Sequence, residues 1–488
     1  MSNVMVRSIL FTSMLCGLLL FGGVVQSQAF EQEGYNTPDT WKQQVSPGQF
    51  QESFTGIGLT EGTKIYTTLT SRYKLRVNDF SNDQDFYQYL RVNTDPIKLG
   101  GGTLRLSAFA RFAQDINGDK NKVGGDNTYY FFRDSLDTQL RHDDWAPRLY
   151  QASVALDGVI KNTTINAGRI NLLHMNSFQL DGGDLKVKLN DTISLYAFGG
   201  KPVSYYYSTS KDDLFGGGLT AKLYERTKLG AEYVRLNIKG NNDDYTKLRI
   251  DQSIPNGNVA LAYTRLDRTS TINADVTYEI VSTGTILTAK YEGLLDDIGN
   301  QSSYYITPLT SILLTESRYS KYEAGIYQAF LKHFAAGLSY VQRVVSGAEN
   351  INNRNYSRVR GKFDINGLPS DNTYISFSAD YWGIKSTATS NNNDSVQYGV
   401  QINQKINKDI DVWAGTSYNR YDFDVNPNLS TDKIREWARQ YYVGSQYKAN
   451  KYLSFMVDLN MDQTNSFDTI STDLNTNYKA EIWANIIF

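Results

Sequence analysis

The chain closes on Tyr478-Lys479-Ala480-Glu481-Ile482-Trp483-Ala484-Asn485-Ile486-Ile487-Phe488, and the alternation in this stretch decides the fold. Successive side chains of a strand point to opposite faces. Ala480, Ile482, Ala484, Ile486 and Phe488 therefore share one face. Lys479, Glu481, Trp483 and Asn485 share the other, with Ile487 the one apolar exception. A soluble protein rarely ends on an apolar, amphipathic strand whose last residue is aromatic.

The same period of two runs back through the chain. Residues 103–113 set Leu104, Leu106, Ala108, Ala110 and Phe112 against Arg105, Ser107, Phe109, Arg111 and Ala113. Residues 64–77 set Tyr73, Leu75 and Val77 against Arg72, Lys74 and Arg76. Further strands are predicted at 86–94, 148–156, 163–169, 184–189, 193–199, 215–224, 228–238, 245–254 and 258–266. The series continues at 273–280, 285–294, 318–330, 334–344, 356–365, 373–384, 396–406, 410–423, 437–449, 452–462 and 473–488. No stretch from residue 30 onward keeps a helical period for long. Short connections such as 190–192, 255–257, 331–333, 407–409 and 450–451 alternate with longer ones such as 345–355, 385–395, 424–436 and 463–472.

The closing strand resembles that of Gram-negative outer-membrane β-barrels, in which a C-terminal signal ending in Phe is read by the barrel-insertion machinery. The resemblance implies that Tyr478, Ile482, Ile486 and Phe488 form the assembly signal. The fold class is then all-β, a transmembrane antiparallel up-and-down barrel of about 22 strands, within a range of roughly 18 to 22 and even-numbered. Short periplasmic turns and longer external loops suit it.

The N-terminus gives the matching address. Arg7 precedes an apolar run from Ile9 to Val25, and Ser27-Gln28-Ala29 offers small residues for cleavage after Ala29. Residues 1–29 read as a signal peptide, 30–63 as a polar periplasmic arm, and 64–488 as the barrel. The single cysteine, Cys16, lies inside the signal run. The rest of the chain has no disulfide, no thiol chemistry and no C-x-x-C-H haem attachment site. The 35 Tyr suit aromatic girdles at two membrane interfaces. A formal net charge of −2 says nothing about partners, and no nucleic-acid partner is expected.

If the apolar face meets lipid, the other lines the lumen. The basic residues on that face are Arg72, Lys74, Arg76, Arg91, Arg105, Arg111, Lys186, Lys188, Lys247, Arg249, Arg358, Arg360 and Lys362. The first three strands present an almost purely basic arc. The acids Asp275, Glu279, Glu292, Glu323, Asp411, Asp458, Asp462 and Glu481 fall mostly in the second half. A tube lined by one sign of charge enriches the opposite ion, so an anion-preferring pore is expected.

Catalysis and metal binding find little support. Of the three His, His333 sits in a short turn and His142 in a charged loop. His174 and Ser177 fall on opposite faces of an extended strand. Asp115-x-Asn117-Gly118-Asp119 has its Gly two places too early for a calcium loop and no Glu at the required distance. No phosphate loop, dinucleotide fingerprint or zinc-ligand spacing is present, and no cofactor is expected.

The stretch from Ala167-Gly-Arg-Ile through Phe178-Gln-Leu-Asp-Gly-Gly183 to Leu195-Tyr-Ala-Phe-Gly-Gly200 resembles passages of porin-like and polysaccharide-export barrels. The leading expectation is a porin-like channel in the outer-membrane lipid, passing small hydrophilic solutes and preferring anions. Barrels of porin–cytochrome conduits offer the alternative: a sleeve, without haem sites of its own, around a multihaem cytochrome. A third reading is a receptor barrel whose apolar loop segment 304–314 binds an external partner.

Overall fold

The structure is a computed structural model. It describes residues 57–60, 63–78, 82–116, 147–173, 177–203, 211–238, 241–266, 269–296, 318–346, 354–385, 393–424, 433–464 and 475–488. The predicted signal peptide, most of the predicted arm, His142, His174, the residues after Ile116 in the calcium-like motif and the apolar segment 304–314 lie outside them.

These residues form 24 strands in one sheet. The first twelve are β1 (Ile57–Thr60), β2 (Thr63–Val77), β3 (Asn82–Thr94), β4 (Ile97–Leu99), β5 (Gly102–Asp115), β6 (Arg148–Asp157), β7 (Thr163–Leu173), β8 (Ser177–Lys188), β9 (Ile193–Pro202), β10 (Asp213–Leu223), β11 (Thr227–Ile238) and β12 (Asn241–Ile254). The rest are β13 (Gly257–Leu266), β14 (Thr269–Ile280), β15 (Thr285–Leu294), β16 (Tyr319–Phe330), β17 (Phe334–Val345), β18 (Asn355–Asn366), β19 (Thr373–Lys385), β20 (Asn393–Lys405), β21 (Ile410–Asp424), β22 (Lys433–Asn450), β23 (Leu453–Thr464) and β24 (Asn475–Ile487).

Each strand pairs antiparallel with its chain neighbour, and β24 pairs with β2 from Thr68↔Ile487 to Val77↔Tyr478. The sheet is therefore a closed barrel of 22 staves, as the alternation predicted. Two strands are not staves. β1 is a spur on the start of β2, formed by the last residues of the predicted arm. β4 continues the β3 stave beyond Pro96, which has no N–H to give the ladder.

Short turns close the staves at one end. Asn190 Oδ1 accepts the backbone N–H of Thr192 (2.8 Å) and Ile193 (2.7 Å). Asn407 does the same for Asp409 (2.8 Å) and Ile410 (2.9 Å). A short polar side chain thus satisfies the turn's donors where the ladder stops. His333 is also a turn residue, with its Nδ1 at 2.7 Å from the carbonyl oxygen of Asn366.

Directly paired residues share a face, so one assignment propagates round the ring. One face carries exposed apolar side chains, including Leu106, Leu248, Ile326, Leu338, Val359, Ile402, Val443, Leu459 and Ile482. The other is enclosed: Lys74, Asp83, Asp85, Tyr87 and Arg111 on it are almost inaccessible. The apolar face is the exterior and the charged face is the lumen. A closed barrel satisfies every stave's backbone within itself, which leaves its apolar exterior suited to lipid. Aromatic clusters border that exterior. Near the turn end, Phe330, Phe334, Phe363 and Phe377 pack with centroids 6.0–6.4 Å apart. Near the loop end stand Tyr398 and Tyr418, at 5.1 Å.

Candidate functional site

The lumen has three walls of different chemistry, and the register places all thirteen predicted basic residues on the lumen face. The first wall is the seam, where β24, β2, β3 and β5 meet. Arg72 pairs with Trp483, Lys74 with Glu481 and Arg76 with Lys479. The Arg72 guanidinium donates to Glu481 at 2.8 Å and stacks over Trp483, 4.7 Å from the ring centroid. Lys479 reaches the same carboxylate at 2.7 Å. Arg76 donates to Asp83 at 2.5 Å and to Asp85 at 3.2 Å, and the Tyr87 hydroxyl donates to Asp85 at 3.2 Å.

An aromatic row runs beside these charges. Tyr87, Tyr89, Phe109 and Tyr150 stack in sequence at 6.3, 6.3 and 5.0 Å. Arg91 lies 4.8 Å from the Phe109 ring centroid, and Arg111 lies 5.5 Å from that of Tyr87. Guanidinium planes lie flat on aromatic faces and keep their edges for other partners.

The seam corrects one expectation. It is not almost purely basic, because Asp83, Asp85, Asp115 and Glu481 stand among its cations. Asp83, Asp85 and Asp115 bring carboxylate oxygens within 4.8 Å of one another, the only such group among the described residues. Arg76 donates to two of the three and supplies the positive charge a metal would bring. Cations still outnumber carboxylates on this wall: Arg72, Lys74, Arg76, Arg91, Arg105, Arg111 and Lys479 against those four.

The second wall, β14 to β19, is balanced. Arg358 is bound by Asp380 through its Nε (2.8 and 2.9 Å) and stacks 4.2 Å from the Trp382 centroid. Arg360 donates to Glu323 at 3.0 Å, across the intervening strand. Lys362 lies 3.0 Å from Asp364 and 3.0 Å from the Tyr374 hydroxyl, which itself donates to Asp364 at 2.7 Å. Lys321 meets Glu292 at 3.2 Å. Asn273, Asp275, Lys290, Glu292, Lys321 and Glu323 line a small polar recess here.

The third wall, β7 to β13, is apolar towards the loop end. Ile170, Leu172, Leu180, Phe198, Leu214, Val234, Leu236 and Ile238 face inward and form one buried cluster with Tyr196 and Tyr245. Tyr196 donates to Glu232 at 2.8 Å and lies over Gly218, where a Cβ would come within 2.5 Å of its hydroxyl. Glycine at 218 thus gives the ring its seat. Arg249 on this wall is bound by Asp251, at 2.8 and 2.7 Å.

Four predicted cations differ from the rest. Arg91, Arg105, Lys186 and Lys188 have no carboxylate within 4.0 Å among the described residues. All four sit near the turn end of their staves, on β3, β5 and β8. The carboxylates Asp83, Asp85, Asp364 and Asp380 were missed as partners by sequence reading. For Asp83, Asp85 and Asp380 the register of neighbouring strands makes the meeting; Asp364 lies two positions from Lys362 on the same strand and face.

No family model matches the chain, and no curated protein matches it. Solved structures do. OccAB2 of Acinetobacter baumannii is similar at 13% identity and a TM-score of 0.45, over 88% of this chain and 98% of its own. OccAB3 of the same organism is similar at 11% identity and a TM-score of 0.44, over 88% of this chain and 100% of its own. The outer membrane protein opdK of Pseudomonas aeruginosa is similar at 12% and 0.41, over 87% and 99%. These likenesses are distant, and the functional reading rests on the chain's own walls.

Proposed function

We propose that this protein is an outer-membrane channel for small hydrophilic solutes that prefers anions. The carrying observation is the group Arg91, Arg105, Lys186 and Lys188, lumen-facing cations with no carboxylate in reach among the described residues. Paired charges such as Arg358–Asp380 cancel at a distance. Unpaired ones set the sign of the field along a low-dielectric tube. The thirteen basic residues thus contribute unequally, and these four contribute most.

The reading is of a channel; His333, the one histidine among the described residues, serves a turn. The partners follow from the same surfaces. The exterior meets outer-membrane lipid, and the closing strand, with exposed Tyr478 and Ile482, is the segment for the barrel-insertion machinery to read. No observation favours a multihaem cytochrome in the lumen.

The test is single-channel recording of the refolded protein in a planar bilayer. A steady conductance with a reversal potential of anion sign is expected under a salt gradient. A folded barrel with no conductance to any small ion would overturn the channel, and a cation-sign reversal potential would overturn the preference.

A further inference from the structure

The exterior of β19 to β22 carries a cluster that the channel reading does not use. Tyr381, Tyr398, Tyr418, Arg420, Trp437 and Arg439 all lie on the lipid-facing side of neighbouring staves. The register shows it: Tyr398 pairs with Tyr418, Tyr418 with Arg439, and Arg420 with Trp437. Arg420 and Arg439 are diagonal neighbours, whose backbones lie roughly 7–8 Å apart. One tetrahedral anion fits between two guanidinium groups at that spacing.

The two arginines are held differently. Arg420 is bridged to Asp422 on its own strand, with Nε at 3.2 and 3.3 Å from the carboxylate oxygens. Arg439 has no carboxylate within 4.0 Å among the described residues. It lies over two rings instead, 4.7 Å from the Trp437 centroid and 5.5 Å from that of Tyr418. Those two rings stack at 6.5 Å. Asp394, another exterior acid, accepts from Tyr381 at 3.3 Å and lies two strands across and four positions along from Arg439, roughly 16 Å away.

Depth makes this arrangement informative. Arg439 is about eleven residues from the short turn that ends β22 at Asn450. At ~3.3 Å per residue and a tilt near 40° that is roughly 28 Å of height. The apolar belt of such barrels is about 25 Å tall. Arg439 therefore sits at the outer boundary of the belt, on the side of the long loops. Below it the same exterior turns apolar, with exposed Val443, Leu459 and Ile402. A cation in that position with no carboxylate within 4.0 Å among the described residues is costly unless an anion meets it.

We infer that Arg439 and Arg420, framed by Tyr418 and Trp437, bind the phosphate of an outer-leaflet glycolipid of the lipid A class. The phosphate takes the free edge of Arg439 and the outward edge of Arg420. The acyl chains run down over Val443 and Leu459. The charge match, the height and the apolar floor each favour a phosphorylated lipid over a soluble anion. Conduction plays no part in this inference, so it stands or falls apart from the channel reading.

The test uses the full-length refolded barrel in detergent, with native mass spectrometry to count bound lipid. The probes are diphosphoryl lipid A, chemically dephosphorylated lipid A and phosphatidylglycerol. Diphosphoryl lipid A is expected to bind the natural protein best. Arg439→Gln should weaken it about tenfold, and Arg439→Lys should recover most of the loss. Arg420→Gln should weaken it less. Conductance should be unchanged in all three variants, since these side chains face away from the lumen. Heat-modifiable gel migration checks folding, and Arg420→Gln carries the test if Arg439→Gln does not fold. Equal binding of phosphorylated and dephosphorylated lipid A would overturn the inference. So would equal binding of phosphatidylglycerol, or unchanged binding in both glutamine variants.

Discussion

Two basic triplets in this chain read alike and behave differently. Arg72, Lys74 and Arg76 alternate on β2, and Arg358, Arg360 and Lys362 alternate on β18. Both point into the lumen. On β18 each cation has a carboxylate of its own, in Asp380, Glu323 and Asp364. On β2 the partners are shared: Arg72 and Lys479 meet at one glutamate, and Arg76 spans two aspartates. Burial differs as well. The side chains of Arg360 and Lys362 are about a third exposed, at 33% and 29%, whereas those of Arg76, Asp83 and Asp85 stand at 11%, 1% and 0%. The triplet on β2 belongs to an enclosed network at the seam; on β18, Arg358 with its Asp380 is just as enclosed, at 14% and 11%, and only Arg360 and Lys362 reach solvent. A run of alternating cations therefore specifies a face and leaves both the net charge of the wall and its role in stability to the neighbouring strands.

This contrast can be broken by stability measurements. Arg76→Met removes the cation shared by Asp83 and Asp85, and a loss of about 3 kcal/mol or more is expected from breaking a buried pair. Arg360→Met, at a partly exposed pair, should cost less than about 1 kcal/mol. Urea unfolding of the refolded barrels, followed by tryptophan fluorescence and gel migration, checks both. Equal losses at the two sites would erase the distinction.

Removing an acid rather than a base sharpens it. Asp380→Asn leaves Arg358 on its Trp382 face without its carboxylate. The balanced wall then gains one positive charge. Anion preference should rise, with a stability cost of roughly 1–3 kcal/mol for the lost charged hydrogen bonds. Reversal potentials of the variant and the natural protein, taken side by side, read the change.

Salt gives the smallest expected effect. The field of unpaired cations extends about 10 Å at 0.1 M salt and roughly 3 Å at 1 M. Anion preference should fall steadily across that range, while the ion pairs on β18 leave the fold intact. A preference that held constant to 1 M would point to a narrow binding site rather than to a charged wall.

Much of the fold was legible. Every stave has a counterpart among the predicted strands, because lipid on one side and water on the other force a period of two onto each crossing. Tyr73, Leu75 and Val77 against Arg72, Lys74 and Arg76 is enough to assign both faces. The third wall was not legible, for the reverse reason. On β11, Leu229, Ala231 and Tyr233 face outward while Val234, Leu236 and Ile238 face inward. The outward face turns polar beyond Tyr233, at Arg235 and Asn237, while the inward face below Val234 carries Lys228 and Glu232, so the alternation reverses polarity half-way along the strand and no single apolar face can be followed through it. The ion pairs were hidden for a third reason. Arg360 meets Glu323, 37 positions away, and Arg72 meets Glu481 across the closure of the barrel. Local sequence does not set such meetings; the stagger between strands does.

The most direct measurement is the reversal potential of two matched variants under one salt gradient. One replaces the unpaired Arg91 and Arg105 by Gln; the other replaces the paired Arg358 and its Asp380 by Gln and Asn. Both alter two charged side chains of the lumen. The first should lose most of the anion preference and the second should keep it. If the second variant loses as much preference as the first, or the first keeps it whole, then unpaired cations do not set the selectivity of this barrel.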